Sequence, residues 1–494
     1  MKTNTLDFDA QALREKILDL AMRGKLVPQD PNDEPASVLL EKIKAEKEQL
    51  IKEKKIKKSK PLAPITDDEK PFDIPDSWEW VRLGDVITIL RGGSPRPIKK
   101  YLTDDPQGIN WIKIGDSKPN SKYIEYAAEK IIPEGLSKTR IVSKGDFLLS
   151  NSMSFGRPYI LKINGAVHDG WLILSDYDHL FNKDYLYYLL SSGFINTQFM
   201  NLATGSTVKN LNRERVANTI AVVPPLKEQS RIAAKIAQLF ALLRKVESST
   251  QQYANLQTLL KSKVLDLAMR GKLVEQDPHD EPASVLLKKI KAEKEQLVKE
   301  GKIKKSKLLP PVTDEEKPFD IPDSWEWVRL GDIGAITSGG TPKTSEKSYW
   351  INGTIPWITP AVMAKCKDQM IFNSESVKRI NNLGLEKSSA HLIPKNSLVV
   401  SSRAPIGYVN IVPFEYTTNQ GCKSVSLYKD ISEEFIYFAL KNSVSDMNNR
   451  ASGTTFKEIS GTKFSQTIIP LPPLKEQTKI SQKIRVLATI IHNF

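Results

Sequence analysis

Part of this chain is written twice. Residues 18–85 return as residues 265–332 with roughly nine positions in ten unchanged. The offset is 247 residues (18 to 265), half of the chain's 494, so the fold must be built from two copies of one unit. The likeness runs beyond that stretch. PPLKEQ at Pro224 to Gln229 recurs at Pro472 to Gln477, each time opening an amphipathic run.

Between Pro225 and Arg270, apolar residues fall at Leu226, Ile232, Ile236, Leu239, Leu243, Val246, Tyr253, Leu256, Leu260, Val264 and Leu267, with no Pro or Gly inside. Spacings of three, four and seven predict one continuous helix. At the α-helical rise it would span about 65 Å. Its second copy is cut in two, with residues 474–494 as the first half and about 7–23 as the second. The chain ends are therefore expected to meet and complete a second rod antiparallel to the first. Three unrelated amphipathic helices are the rival reading, and the matched sequence speaks against it.

The rest follows in order. A helix over 7–23 is stopped by Gly24, which suits the position just past a helix end. A second helix is expected over 36–55, then a Pro-rich extended strap, then WEWVRLGD as a strand opening a globular domain. From 86 to 221 short apolar strands such as VITIL, INWIKIG, GDFLLS and GWLILS alternate with Gly and Pro turns, and one helix is expected over 184–193. The expected class is α+β: two mixed α/β domains separated by two long antiparallel helices, an internal pseudo-two-fold repeat of circular organisation. The boundaries are an N-terminal helix 1–27, a strap with helix 28–77, a first α/β domain 78–222, a central helix 223–272, a second strap 273–324, a second α/β domain 325–470 and a closing helix 471–494. The segments between the α/β domains are nearly identical in the two copies, whereas the α/β domains have diverged. The first do one job twice; the second do two versions of a related job.

Composition narrows the chemistry. No run approaches the 18 apolar residues of a membrane span, and the N-terminus carries no apolar signal segment. Two cysteines, Cys366 and Cys422, exclude a disulfide scaffold or thiolate metal site and suit the cytoplasm; five scattered histidines argue against zinc. Neither a phosphate-binding GxxxxGK[ST] loop nor a GxGxxG loop is present, nor a tetrapeptide of the kind amino-methyltransferases use to hold an exocyclic amine. Asp314, Glu315 and Lys317 read as a surface turn before Pro318. The inventory is that of a protein that binds rather than one that reacts. A net charge of +14 makes nucleic acid the leading partner. The Lys-rich runs at 52–60 and 299–307 read equally well as solvated helix tails.

Landmarks pair the two α/β domains. RGGSPRP (Arg91 to Pro97) answers SGGTPKT, GDFLLSNSMSFGRP answers NSLVVSSRAPIGYV, VHDGWLIL answers TNQGCKSV, and TGSTVKNL answers SGTTFKEI. Gly-Ser/Thr turns bring backbone N–H groups close to phosphates, and a neighbouring cation neutralises charge. Thr204, Gly205, Ser206, Thr207 and Lys209 fit that, as do Ser452, Gly453, Thr454, Thr455 and Lys457. The loops at Gly92, Gly93, Ser94 and at Gly339, Gly340, Thr341 are further DNA-binding candidates. Arg91, Arg96, Arg157, Lys343 and Arg403 are candidate guanine contacts or phosphate clamps, and Asn151, Asn419 and Gln420 candidate adenine readers. For any single turn, a plain turn is the competing reading. His168 and Asp169 are read as capping a turn, and Trp78, Trp80, Trp325 and Trp327 as packing anchors.

With these residues in view, the chain resembles the specificity subunit of Type I restriction-modification systems. PPLKEQ, LDLAMRGKLV, IPDSWEWVRLGD, the SGGTP loop, and HDG and TGST carry the resemblance across essentially the whole length. It implies two target recognition domains on double-stranded DNA, two docked methyltransferase subunits and two endonuclease/translocase subunits. S-adenosylmethionine would sit on the methyltransferase, ATP and Mg on the endonuclease, and no cofactor or catalytic residue on this chain. Two unlike readers on a fixed spacer imply an asymmetric target in two parts. A stand-alone DNA-binding scaffold and an enzyme in its own right are the alternatives.

Overall fold

The long helix is continuous: Leu226–Met269 runs 44 residues without a break. It opens after Pro225, and its register of small and apolar residues supports the length. A computed structural model of the protein describes residues 8–53, 62–118, 121–151, 155–201, 211–301, 308–453 and 457–491, without the side chains of Lys47, Leu50 and Ile51. Most of both Lys-rich runs, all of residues 204–209, and Thr454 and Thr455 lie outside them. The described residues divide into two units, 8–250 and 251–491.

In the first unit, Asp9 caps helix Ala10–Met22 by accepting the Ala12 N–H at 2.9 Å. The helix ends at Arg23 and Gly24 takes a left-handed φ of +67°. Arg14 pairs with Glu247 at 2.6 Å, while Gln29, further on, donates to Glu228 at 2.7 Å. Rising numbers on one strand of the pair meet falling numbers on the other, so the two run antiparallel. Leu18, Ala21 and Met22 seal the contact against Ile232 and Ile236. The second unit repeats this. Gln257 donates to the Ile491 carbonyl at 3.3 Å and Gln276 to Glu476 at 2.8 Å, beside helix Leu474–Ile490.

Each unit ties the start of its α/β domain to its end. Strand Glu79–Arg82 pairs antiparallel with Ile220–Val223, and Glu326–Arg329 with Ile468–Leu471. After Arg82 the chain does not extend as a strand. Leu83–Val86 is one helical turn, as is Leu330–Ile333. Residues 62–77 are packed rather than linker-like: Arg82, buried, donates to the carbonyls of Ala63 and Pro64 and to Glu69. Phe72 lies 5.3 Å from Trp80 and under Arg23, so an extended, Pro-rich stretch is fixed by aromatic and guanidinium contacts that composition does not reveal.

The first α/β domain holds two five-stranded sheets. One runs Thr88–Arg91, Trp171–Ser175, Phe147–Ser150, Pro158–Leu161, Tyr123–Ile124. The second domain has a four-stranded sheet (Gly334–Ser338, Cys422–Leu427, Ser397–Ser402, Ile406–Val412) and a three-stranded one. Where one helix was expected over 184–193, there are two, Lys183–Leu190 and Gly193–Asn201. Ser191 and Ser192 break the run by hydrogen-bonding the Tyr187 and Leu189 carbonyls, and Ser192 accepts the Ile195 N–H to start the next helix. Cys366 and Cys422 are free and buried.

Candidate nucleic-acid interface

Four segments of the first α/β domain converge at one end of the Thr88–Arg91 sheet. Gly92 and Gly93 donate their N–H groups to the Trp171 and Val167 carbonyls at 2.9 and 3.2 Å. A Cβ on Gly92 would sit 2.2 Å from the His168 carbonyl oxygen, so only glycine allows the loop to lie this close. Asn151 is buried; its N–H donates to the Gly170 carbonyl and its own carbonyl accepts from Leu211 at 2.9 Å. Its amide Nδ2 donates to the Asp169 carbonyl at 2.8 Å.

The second domain repeats the arrangement bond for bond. Gly339 and Gly340 donate to the Cys422 and Thr418 carbonyls, Ser402 N–H to the Gly421 carbonyl at 2.7 Å, and Ile459 N–H to the Ser402 carbonyl at 3.0 Å. A Cβ on Gly339 would meet the Asn419 carbonyl oxygen at 1.9 Å. Gly170 N–H donates to His168 Nδ1 at 2.9 Å, and Gly421 N–H to Asn419 Oδ1 at 3.0 Å. The glycine N–H groups of both loops are thus used inside the turn. What each loop presents outward is its side chains.

Those side chains are mostly cationic or amide. Arg91 is exposed and its Nε donates to the Asp169 carbonyl at 3.4 Å. Arg96, 82% exposed, lies 3.6 Å from the Asp169 carboxylate, and Ser94 Oγ donates to that carboxylate at 2.8 Å. Burial pushes the Asp169 carboxyl upward, but the Ser94 hydroxyl, His168 and Arg91 outweigh it and hold it below the usual carboxylate range. In the second domain Arg403 Nη1 lies 3.8 Å and Lys423 Nζ 3.5 Å from Glu458. Ser452 exchanges backbone bonds with Glu458 and accepts from Lys463 Nζ at 2.6 Å. Exposed Gly453 and Lys457 stand on either side of the undescribed Thr454 and Thr455.

The sequence candidates therefore divide. Arg91, Gly92, Gly93, Ser94, Arg96 and Asn151 are brought together, as are Gly339, Gly340, Thr341, Asn419, Gln420, Arg403 and Ser452. Arg157 sits at the base of the neighbouring hairpin, its N–H donated to Ser150 Oγ at 3.0 Å. Lys343 lies two residues past Thr341, and its carbonyl accepts from Trp350 Nε1 and the Glu346 N–H. The Thr204–Lys209 segment is outside the described residues; Leu211 shows where the chain returns to the cluster. Lys423, Glu458 and Lys463 are members that the sequence did not single out, and Asp169, read there as capping a turn, joins them. The alignment of VHDG with TNQG was the available signal for Asp169, since it pairs that residue with Gln420.

Residues 75–256 and 322–493 each match the family model described as the Type I restriction modification DNA specificity domain. The EcoAI specificity subunit of Escherichia coli is 32% identical across 97% of this chain and 88% of its own length. The E. coli EcoEI specificity subunit is 36% identical across 68% of this chain and 64% of that relative. The crystal structure of an HsdS subunit from Thermoanaerobacter tengcongensis shares the fold, with a TM-score of 0.52 at 18% identity over 86% of this chain and 92% of that one. A chain from a study of complex assembly and conformational transition of the type I R-M system gives 0.56 at 21% identity, over 85% and 92%.

Proposed function

The chain belongs to the Type I restriction-modification DNA specificity family, and from that premise we propose that each α/β domain reads one half of an asymmetric, two-part DNA target. As a specificity subunit it supplies sequence choice to a restriction-modification complex and is not itself the catalyst. The observation that carries the two-half reading is the contrast inside the converging segments. Their backbone bonds are the same in both domains, and the side chains they hold out are not. One frame with two sets of side chains suits two different half-sites.

The finer roles follow from the same contrast. Arg91, Arg96, Arg403, Lys457 and the Thr204–Lys209 and Ser452–Thr455 segments would meet phosphate or guanine; Asn419 and Gln420 would read base edges, adenine among them. Arg157 and Lys343 would serve as flanking phosphate contacts, and Asn151 would act mainly by fixing the turn. A net charge of +14 supports strong, salt-dependent attraction to the duplex. The near-identical segments 18–85 and 265–332 suit one partner bound twice, two methyltransferase subunits carrying S-adenosylmethionine, through which two endonuclease subunits with ATP and Mg would join. Among the described residues no helix is long and apolar enough to cross a membrane, and no group of side chains is arranged to hold a metal.

Exchanging residues 86–221 for those of another specificity subunit tests the reading. Mapping methylated adenines in cells carrying the hybrid complex should show one half-site replaced and the other kept. Replacement of both halves, or of neither, would refute it.

A further inference from the structure

Each α/β domain uses a hydroxyl to hold one side chain of the same turn, and the chemistry of that side chain differs. Ser94 Oγ donates to Asp169 Oδ1 at 2.8 Å, the Asp169 N–H returns to Ser94 Oγ at 3.3 Å, and His168 Nε2 lies 3.0 Å from the same carboxylate oxygen. Oδ1 is therefore engaged. Oδ2 has Arg96 at 3.6 Å as its neighbour, and the side chain remains 30% exposed. In the second domain Thr341 Oγ1 lies 2.5 Å from Gln420 Oε1. Gln420 is exposed, and its Nε2 has no acceptor among the described residues.

We propose that position 169, with its counterpart 420, determines specificity: Asp169 Oδ2 accepts from the exocyclic amine of a cytosine or adenine in the major groove, and Gln420 Nε2 donates to a purine N7 or a base carbonyl. A carboxylate is acceptor-only, so a guanine O6 or thymine O4 facing it would be repelled, whereas an amide nitrogen offers donors to those same atoms. The turn itself does not need the charge. Its twin is closed by the same backbone bonds around a neutral amide. Holding a partly buried carboxylate there costs desolvation that a neutral side chain would avoid. Arg96 lies 3.6 Å from the carboxylate and Arg91 bonds the Asp169 main-chain carbonyl, so two cations accompany the carboxylate toward a phosphate-lined groove.

The inference rests on the two-reader function. Complexes assembled with D169N, S94A or Q420E chains are bound to a DNA pool randomised in both half-sites, and the bound sequences are read. Asn keeps the size and the Ser94 bond while replacing one acceptor face with a donor. D169N should shift the preference at one base pair of one half-site by about ten- to a hundredfold away from the amine-bearing base. Q420E should shift one base pair of the other half-site only, and S94A should relax the base pair that D169N shifts. Whether that base is cytosine or adenine identifies the amine. A shift confined to that base pair in either D169N or S94A supports the inference. An unchanged preference, or a loss uniform over all sequences in both variants, overturns it. The 86–221 exchange runs alongside. If it replaces one half-site while D169N changes nothing, the role of Asp169 alone falls; if the exchange fails too, the two-reader function falls with it.

Discussion

The surroundings of Trp78 and Trp325 share their central hydrogen bonds. Trp78 Nε1 donates to Glu228 at 3.0 Å and Trp325 Nε1 to Glu476 at 2.9 Å. Gln29 and Gln276 reach the same two carboxylates at 2.7 and 2.8 Å. Arg82 bonds the carbonyls of Ala63 and Asn218, and Arg329 those of Pro310 and Gln466. The turns around Ser94 and Thr341 also share their backbone bonds, yet His168 has become Asn419, Asp169 Gln420 and Asn151 Ser402. The reason lies in burial. A carboxylate 1–2% exposed with two fixed donors tolerates no change in either partner without leaving a polar group stranded. A turn closed by N–H to carbonyl bonds leaves its outward side chains free to vary.

The largest effect comes from emptying the shells around the two tryptophans. Trp78→Ala should cost about 3–5 kcal/mol in the first unit, the range for deleting a buried large aromatic. Trp325→Ala should cost the second unit the same to within about 1 kcal/mol. Denaturant-dependent hydrogen exchange, read residue by residue, assigns each loss to its unit; unequal losses would break the equivalence.

A smaller effect tests the carboxylates. Burial raises both Glu228 and Glu476 above the ordinary glutamate range, against the pull of their Trp and Gln donors. The folded state then binds this proton more tightly than the unfolded chain. Stability contributed by the protonated form is present at low pH and is lost as pH rises from the ordinary glutamate range through the raised one. Wild-type stability minus that of E228Q should fall over this window and then level off, and E476Q should behave alike. Denaturation midpoints at a series of pH values measure the difference; a flat difference for one variant alone would separate the two shells.

The smallest effect sharpens a place where the two shells differ. Arg231 bonds buried Asp33 at 2.7 Å, while in the second unit Lys479 reaches buried Asp280 at 3.3 Å. Asp280 Oδ1 lacks a hydrogen bond among the described residues, with Lys475 3.6 Å away. A guanidinium carries more donors in a fixed fork than an ammonium. Lys479→Arg should therefore stabilise by about 0.5–1.5 kcal/mol, and Arg231→Lys should lose a similar amount. Thermal melts of the full chain decide it, and a destabilised Lys479→Arg would show that the second pocket has no room for the fork.

Much of this molecule is legible in the sequence because its signals are local or repeated. The helix at 226–269 follows from apolar spacing, and Gly24 and Gly271 mark helix ends with φ near +66°. The break between Leu190 and Gly193 was missed because two serines choose between helix and cap only when backbone partners are in place. Residues 62–77 looked like linker because Pro-rich composition says nothing of an arginine that arrives from strand Glu79–Arg82 to bind their carbonyls.

By itself, the sequence determined the doubling, the long helix, two divergent α/β domains and the family. Periodicity and repetition are properties of the chain alone. Only the tertiary structure decided that Ser94 meets Asp169, that Leu211 closes on Asn151, and that Thr341 holds Gln420 in the same way. Those bonds join residues 60 to 79 positions apart in the chain. Partners that far apart leave no pattern in a linear spacing, and they become neighbours only when the sheets fold.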